Sequence, residues 1–255
     1  MDLGITGKRA LVIGASSGLG AAVAQALAQE GATVFAAARR VEKIAAGAVG
    51  PGQIHARKLD TADVGAIEAL VAELLPEGVD ILVNNCGGPP PGGALDTTRE
   101  AWTGQFAPMA ANIFHLTSLL LPAMLARRWG RVITIGSSGV EQPLPRLVIS
   151  NGLRAAVAGW SKTLASEVAA MGVTVNMVLP GRIRTERTAQ IDGAAATRAG
   201  GSVEQVEAES TALIPAGRYG DAREFANVVA FLAGTPSSYV TGTMVRVDGG
   251  LIRGV

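Results

Sequence analysis

Three glycines at positions 14, 18 and 20, within Leu11-Val-Ile-Gly-Ala-Ser-Ser-Gly-Leu-Gly20, are the residues whose type and spacing point most directly to chemistry. Glycine serves where a backbone must turn sharply and come close to a ligand. The apolar run Ala10 to Ile13 before them reads as a buried strand, and Ala21 to Ala28 after them reads as a helix. The first turn of such a helix offers free N–H groups and the positive end of its dipole, which suits a phosphate. Gly14, Ser16, Ser17, Gly18, Leu19 and Gly20 therefore form a candidate cradle for a dinucleotide. A second strand, Thr33 to Ala38, ends at Arg39 and Arg40. In dinucleotide folds this tip meets the adenosine ribose, where a carboxylate accepts from a free hydroxyl and an arginine suits a phosphate. No Asp or Glu occupies positions 36–41, which favours NADP(H) over NAD(H).

Positioning these residues requires strands that alternate with helices. Ile54 to Leu59 reads as a strand ending at Asp60, followed by strands at Asp80 to Asn84, Arg131 to Gly136, Val173 to Val178 and Met244 to Val247. Helical patterns fall at 64–75, 98–126, 150–171 and 223–233, the second opened by a Thr97-x-x-Glu100 capping-box signature. This alternation predicts an α/β chain with one domain over 1–255. The expected fold is a Rossmann-like, doubly wound parallel sheet of about seven strands with helices on both faces. Ligands of such sheets bind beyond the carboxyl ends of the strands, which lines up Gly14, Arg39, Asp60 and Asn84. The polar segment 182–214 is longer than an ordinary connection and reads as a mobile substrate lid. Arg182, Arg184 and Arg187 at its start either meet an anionic substrate group or face solvent.

Bulk properties narrow the partners. A net charge of +1 over 255 residues gives no electrostatic case for a nucleic-acid or membrane-surface partner. A single cysteine, Cys86, excludes an internal disulfide framework and fits a reducing cytoplasm. The stretch 101–126 has no Asp, Glu, Lys or Arg and is long enough for a bilayer. It also carries Gln105, Asn112, His115, Pro108 and Pro122, so a helix buried in the fold or in a subunit interface is expected. His55 and His115 read as structural, Cys86 as a packing residue, and no metal cluster is visible.

Together these segments resemble the short-chain dehydrogenase/reductase family, in particular its 3-oxoacyl-carrier-protein-reductase-like members, over essentially the whole chain. The resemblance implies that Asp60 lies beside the adenine and that Asn84-Asn85-Cys86-Gly87 ends a strand along the cofactor. It also implies that Pro180, Gly181, Ile183 and Thr185 hold the nicotinamide amide. Oligomers, tetramers or dimers, are implied through helices 98–126 and 150–171. Ile13 stands where a threonine is usual, and the catalytic positions depart further. Ser137 matches the family serine, but Ser150 falls where a tyrosine belongs, Arg154 where a lysine belongs and Met109 where an asparagine belongs.

These replacements change the chemistry available. A tyrosine with a pKa of about 10 can be drawn into acid–base range by a nearby cation. A serine hydroxyl can polarise a carbonyl but is a far weaker acid, and an arginine stays protonated. Of the two tyrosines, Tyr219 and Tyr239, packing is the expected role of the first. Three readings follow. One is an NADP(H)-dependent oxidoreductase of a small carbonyl or alcohol, using Ser137, Ser150 and Arg154 with water as proton donor. A second is a catalytically silent NADP(H) binder acting as a sensor or an assembly subunit. A non-redox dehydration on the same scaffold is a third.

Overall fold

The computed structural model describes residues 1–254. Strand β1 (Arg9–Ile13) lies in mid-sheet because its apolar residues serve both faces. Ala10 and Val12 pack to one side and Leu11 and Ile13 to the other, the two-residue alternation of a strand covered on both faces. Around it run β2 (Thr33–Ala38), β3 (Gly47–Val49), β4 (Gly52–Lys58), β5 (Ile81–Asn84), β6 (Gly130–Ile135), β7 (Val173–Pro180) and β8 (Met244–Val247). The sheet order is β3-β4-β2-β1-β5-β6-β7-β8, so the order reverses between β1 and β5, where a crevice opens beyond the strand ends.

One face is covered by α1 (Gly18–Gln29) and α8 (Ala222–Ala233), whose Val23, Leu27, Phe225 and Val229 are fully buried. The other is covered by α2 (Val64–Leu74), α4 (Asn112–Ala126) and α5 (Val148–Val168) through Ile67, Leu116, Leu120 and Val168. The doubly wound expectation is met, with eight strands rather than about seven. The added strand, β3, has three residues, too few for any alternation to register, and pairs antiparallel to β4 at the edge. β4 begins at Gly52, earlier than the apolar run, and a side chain at that glycine would strike the carbonyls of Ala28 and Ala32. His55 is accordingly mid-strand, its ring stacked on Phe35 at 5.5 Å.

The long helical pattern at 98–126 is divided. α3 (Arg99–Phe106) passes into a π turn at Ala107–Ala111 before α4 begins. Pro108 has no N–H to give the helix ladder, which accounts for a break at this point. The N-cap is Thr98, whose side chain accepts from Ala101 N; Thr97 instead donates to the Gly93 carbonyl at 2.6 Å. The segment Arg99–Ala126 is long and apolar enough to cross a membrane. Its Ile113, Leu116, Leu120 and Met124 are buried here against the fold.

The segment expected to be a lid is folded rather than loop-like. α6 (Glu186–Ala199) and α7 (Val203–Ala212) form a helical pair, joined through Gly200 in the left-handed region and a Ser202–Gln205 capping box. Their polar sequences hid two helices whose stability rests on caps and a few buried contacts.

Candidate active site

The glycine loop leaves β1 at Gly14 with φ +67°, and Gly18 has φ +57°, both in the left-handed region that glycine supplies. Crowding adds to the requirement. A Cβ on Gly14 would lie 2.7 Å from the Asn85 amide, and one on Gly20 would strike the Gly14 carbonyl. Asn85 closes the loop against β5 by donating to Gly14 O at 3.3 Å. Ser17, at the N-cap of α1, makes no side-chain cap bond. By contrast, Asp63, Thr98, Thr185, Ser202 and Asp221 cap α2, α3, α6, α7 and α8. The first-turn N–H groups of α1 are thus left to an outside acceptor, as a phosphate cradle requires.

Arg39 and Arg40 are both exposed at the end of β2, and Arg40 donates to the Ser17 hydroxyl at 3.4 Å. A guanidinium therefore stands directly over the glycine loop. Asp60, just past the end of β4, accepts from Ala62 N at 3.0 Å. Gly87 has open space on its side-chain side. Pro180 ends β7, and Gly181 lies so close to Asp248 that a Cβ would sit 2.6 Å from its Cα. Ile183 is buried, and Thr185 caps α6 while lying 3.5 Å from where a Gly18 Cβ would be. Apart from Asn84, whose buried side chain donates to Thr117 instead, the residues expected at the cofactor are gathered at the carboxyl ends of the strands, and a dinucleotide fits that donor set.

The residues expected to be catalytic come together, each engaged in contacts of its own. Ser137, following β6, accepts from Gly139 N at 3.1 Å and so caps a short turn. Ser150 lies in the first turn of α5 and is 8% exposed. Arg154, one turn on, points Nε at the Ser150 hydroxyl at 3.4 Å. It donates Nη1 to Ile135 O at 2.9 Å and Nη2 to Cys86 O at 3.5 Å, tying the ends of β6 and β5 together. Met109, in the π turn, packs with Ile149, Leu153 and Cys86 and offers no polar atom. Cys86 is a packing residue, as expected.

Asn151 was not foreseen. It holds both backbone polar groups of Leu144, accepting from N at 3.3 Å and donating to O at 2.9 Å. That anchors the loop joining Ser137 to Ser150. Its only sequence signal is adjacency to Ser150.

The arginines of the expected lid have separate fates. Arg182 pairs with Asp192 at 2.5 Å, and Tyr219 donates to the same carboxylate at 3.0 Å. Burial pushes the Tyr219 phenol above its ordinary range, so it packs and holds α6 rather than serving as an acid. Arg184 pairs with Glu207 on α7 at 2.6 Å. Arg187 donates to Pro89 O at 3.0 Å and lies against Gly88, bridging α6 to the loop after β5.

The family model described as enoyl-(acyl carrier protein) reductase matches residues 14–252. The 3-oxoacyl-[acyl-carrier-protein] reductase of Haemophilus influenzae is 35% identical over 96% of this chain and 98% of its own. The chain belongs to the short-chain dehydrogenase/reductase family. Solved members superpose closely on this reductase-family chain. L-Sorbose reductase from Gluconobacter frateurii, complexed with NADPH and L-sorbose, gives a TM-score of 0.91 at 29% identity with full coverage of both chains. An actinorhodin polyketide ketoreductase with NADPH gives 0.87 at 33% identity over 96% of this chain and 97% of that one.

Proposed function

We propose that this chain is an NADP(H)-dependent oxidoreductase of a small carbonyl or alcohol substrate, 3-oxoacyl-reductase-like, working without the family's tyrosine and lysine. The observation that carries the cofactor half is the uncapped first turn of α1, roofed by Arg40 on Ser17. The NADPH present in similar reductases supports the same choice. When bound, the cofactor supplies hydride to the carbonyl carbon.

This chain's residues do the rest. Gly14, Gly18, Gly20 and the N-terminus of α1 hold the pyrophosphate, and Arg39 and Arg40 hold the ribose phosphate. Pro180, Gly181, Ile183 and Thr185 orient the nicotinamide. Ser150 donates its hydroxyl proton to the substrate oxygen as a hydrogen bond. The Arg154 charge, aimed at that hydroxyl, favours the oxyanion that develops there. Ser137 offers a second hydroxyl proton while its lone pair stays with Gly139 N. Neither serine nor arginine gives up a proton readily, so solvent water protonates the alkoxide. Slow turnover is the consequence.

The lid is α6 and α7, moving as a folded pair, with Asp192 anchoring α6 to Arg182 and Tyr219. A homo-oligomer forms through α3–α4 and α5, where Gly152, Ala155, Ala156 and Gly159 are exposed and let a second copy approach. A soluble, cytoplasmic setting fits the single cysteine. A second reading, a silent NADP(H) binder, draws on one observation: Arg154 already spends two donors on strand-end carbonyls. The test is a panel of small ketones, aldehydes and 3-oxoacyl thioesters, followed by the absorbance of reduced nicotinamide. Slow oxidation with at least one substrate supports the oxidoreductase. Tight NADPH binding with no oxidation across the panel leaves the silent binder.

A further inference from the structure

We infer that a small cavity behind Arg154 is a built site for one water, and that this water positions the guanidinium without relaying a proton. The cavity has about 10 Å³, room for a single water, and lies among Asn84, Thr134, Arg154, Met109, Ile113 and Met177. Two of its polar residues are starved of partners. Asn84 is 1% exposed and Thr134 6%, and the Asn84 Oδ1 and Thr134 Oγ1 atoms have no hydrogen-bond partner in the protein.

The amide orientation is fixed by its other end. Asn84 Nδ2 donates to Thr117 Oγ1 at 3.1 Å, and Thr117 spends its own proton on Ile113 O at 2.8 Å. Thr117 can therefore only accept from Asn84, which leaves Oδ1 as a free acceptor. Asn84 and Thr134 are register partners on β5 and β6. Strands lie about 4.8 Å apart, a span that one water bridges. Arg154 has five N–H donors. Three are used, on Ser150, Ile135 and Cys86.

A water that accepts from a remaining guanidinium N–H and donates to Asn84 Oδ1 and Thr134 Oγ1 has three partners, the usual complement of a buried water. It satisfies both orphaned atoms, since an unpaired buried polar group is costly. The proton path ends there. The guanidinium only donates and the amide oxygen only accepts, so no proton passes between the cavity and Ser150. Asn84 and Thr134 are thus positioning residues. They hold Arg154 from behind while its Nε faces Ser150.

The structural test does not depend on turnover. Crystals of the full chain, with and without NADPH, at a resolution that defines waters should show one within hydrogen-bond reach of Asn84 Oδ1, Thr134 Oγ1 and an Arg154 nitrogen. A dry cavity overturns the inference. The functional test rests on the oxidoreductase reading. Thr134→Val should lower kcat about tenfold, the scale of a small misplacement of a charged group. The KM for NADPH and the solvent isotope effect should stay unchanged, and Thr134→Ser should restore kcat. In an Arg154→Ala background the valine should have no further effect. An equal loss in that background, or a changed solvent isotope effect, contradicts the positioning role. Absence of turnover in every variant, the parent included, defeats the oxidoreductase reading alone, and the crystallographic water then decides this one.

Discussion

The two halves of one sheet edge meet different fates in this protein. At β1, β2 and α1 the site is made of backbone: left-handed glycines, a carbonyl held by Asn85, and N–H groups left uncapped at Ser17. At β6 and α5 it is made of side chains, and three of the four usual ones are replaced. A backbone-built cradle tolerates few residue types, because a Cβ at Gly20 runs into the Gly14 carbonyl. A side-chain corner can change without disturbing the fold, because Ser150 and Arg154 keep the one-turn spacing on α5. Binding and chemistry can therefore diverge independently on this scaffold.

The largest effect should come from returning the altered half to the family pattern. Ser150→Tyr with Arg154→Lys supplies a tunable proton donor, and turnover should rise about 100-fold or more. Steady-state assays of NADPH oxidation check this; no gain would mean that the substitutions at 150 and 154 do not limit the rate. Next is the unaltered half. Gly20→Val should abolish NADPH binding in a fluorescence titration while far-UV circular dichroism stays native; retained affinity would detach the glycine loop from the cofactor. A smaller change, Arg40→Asp, should weaken NADPH about tenfold, the value of one charged hydrogen bond, and leave NADH unaffected. Equal losses for both cofactors would remove the ribose-phosphate assignment.

The smallest effect lies away from both halves and serves as their control. The Arg218 guanidinium holds the Glu224 carboxyl down at about 2, from an ordinary value of 4.5. A depressed acid stabilises the fold above its unfolded pKa, and that contribution is lost as pH falls from about 4.5 through about 2. The midpoint of thermal unfolding should fall over this window, and slightly less steeply in Glu224→Gln. Cofactor affinity at neutral pH should not change in that variant, because the pair is exposed and bonds to no residue of the glycine loop.

Much of this was legible in the sequence where a local rule was strong. The glycine spacing placed the cradle, and apolar runs such as Leu11 to Ile13 and Val173 to Val178 placed central strands buried on both faces. Illegible features depend on partners distant along the chain. β3 is three residues held only by β4. The polar helix α6 is fastened by Asp192 to Arg182 and Tyr219, residues 10 and 27 positions away, and α7 by Glu207 to Arg184, 23 positions away. Arg182 and Arg184 look like free cations in the sequence because their carboxylates, Asp192 and Glu207, lie 10 and 23 positions on. Thr98 rather than Thr97 caps α3 because Thr97 finds the Gly93 carbonyl. In the site, the residue types at 109, 150 and 154 were readable. The hold of Arg154 on Ile135 and Cys86 was not, because it joins the ends of three elements.

The oxidoreductase proposed here moves hydride from NADPH to a carbonyl at a corner that lacks the family's tyrosine. A single-turnover reaction with NADPH carrying deuterium at the transferable position tests it most directly, with the product read by mass spectrometry. Deuterium should appear on the product's carbinol carbon, slowly and at a rate that rises in the Ser150→Tyr, Arg154→Lys protein. NADPH bound tightly, with no label transferred to any carbonyl that the restored protein reduces, would contradict it.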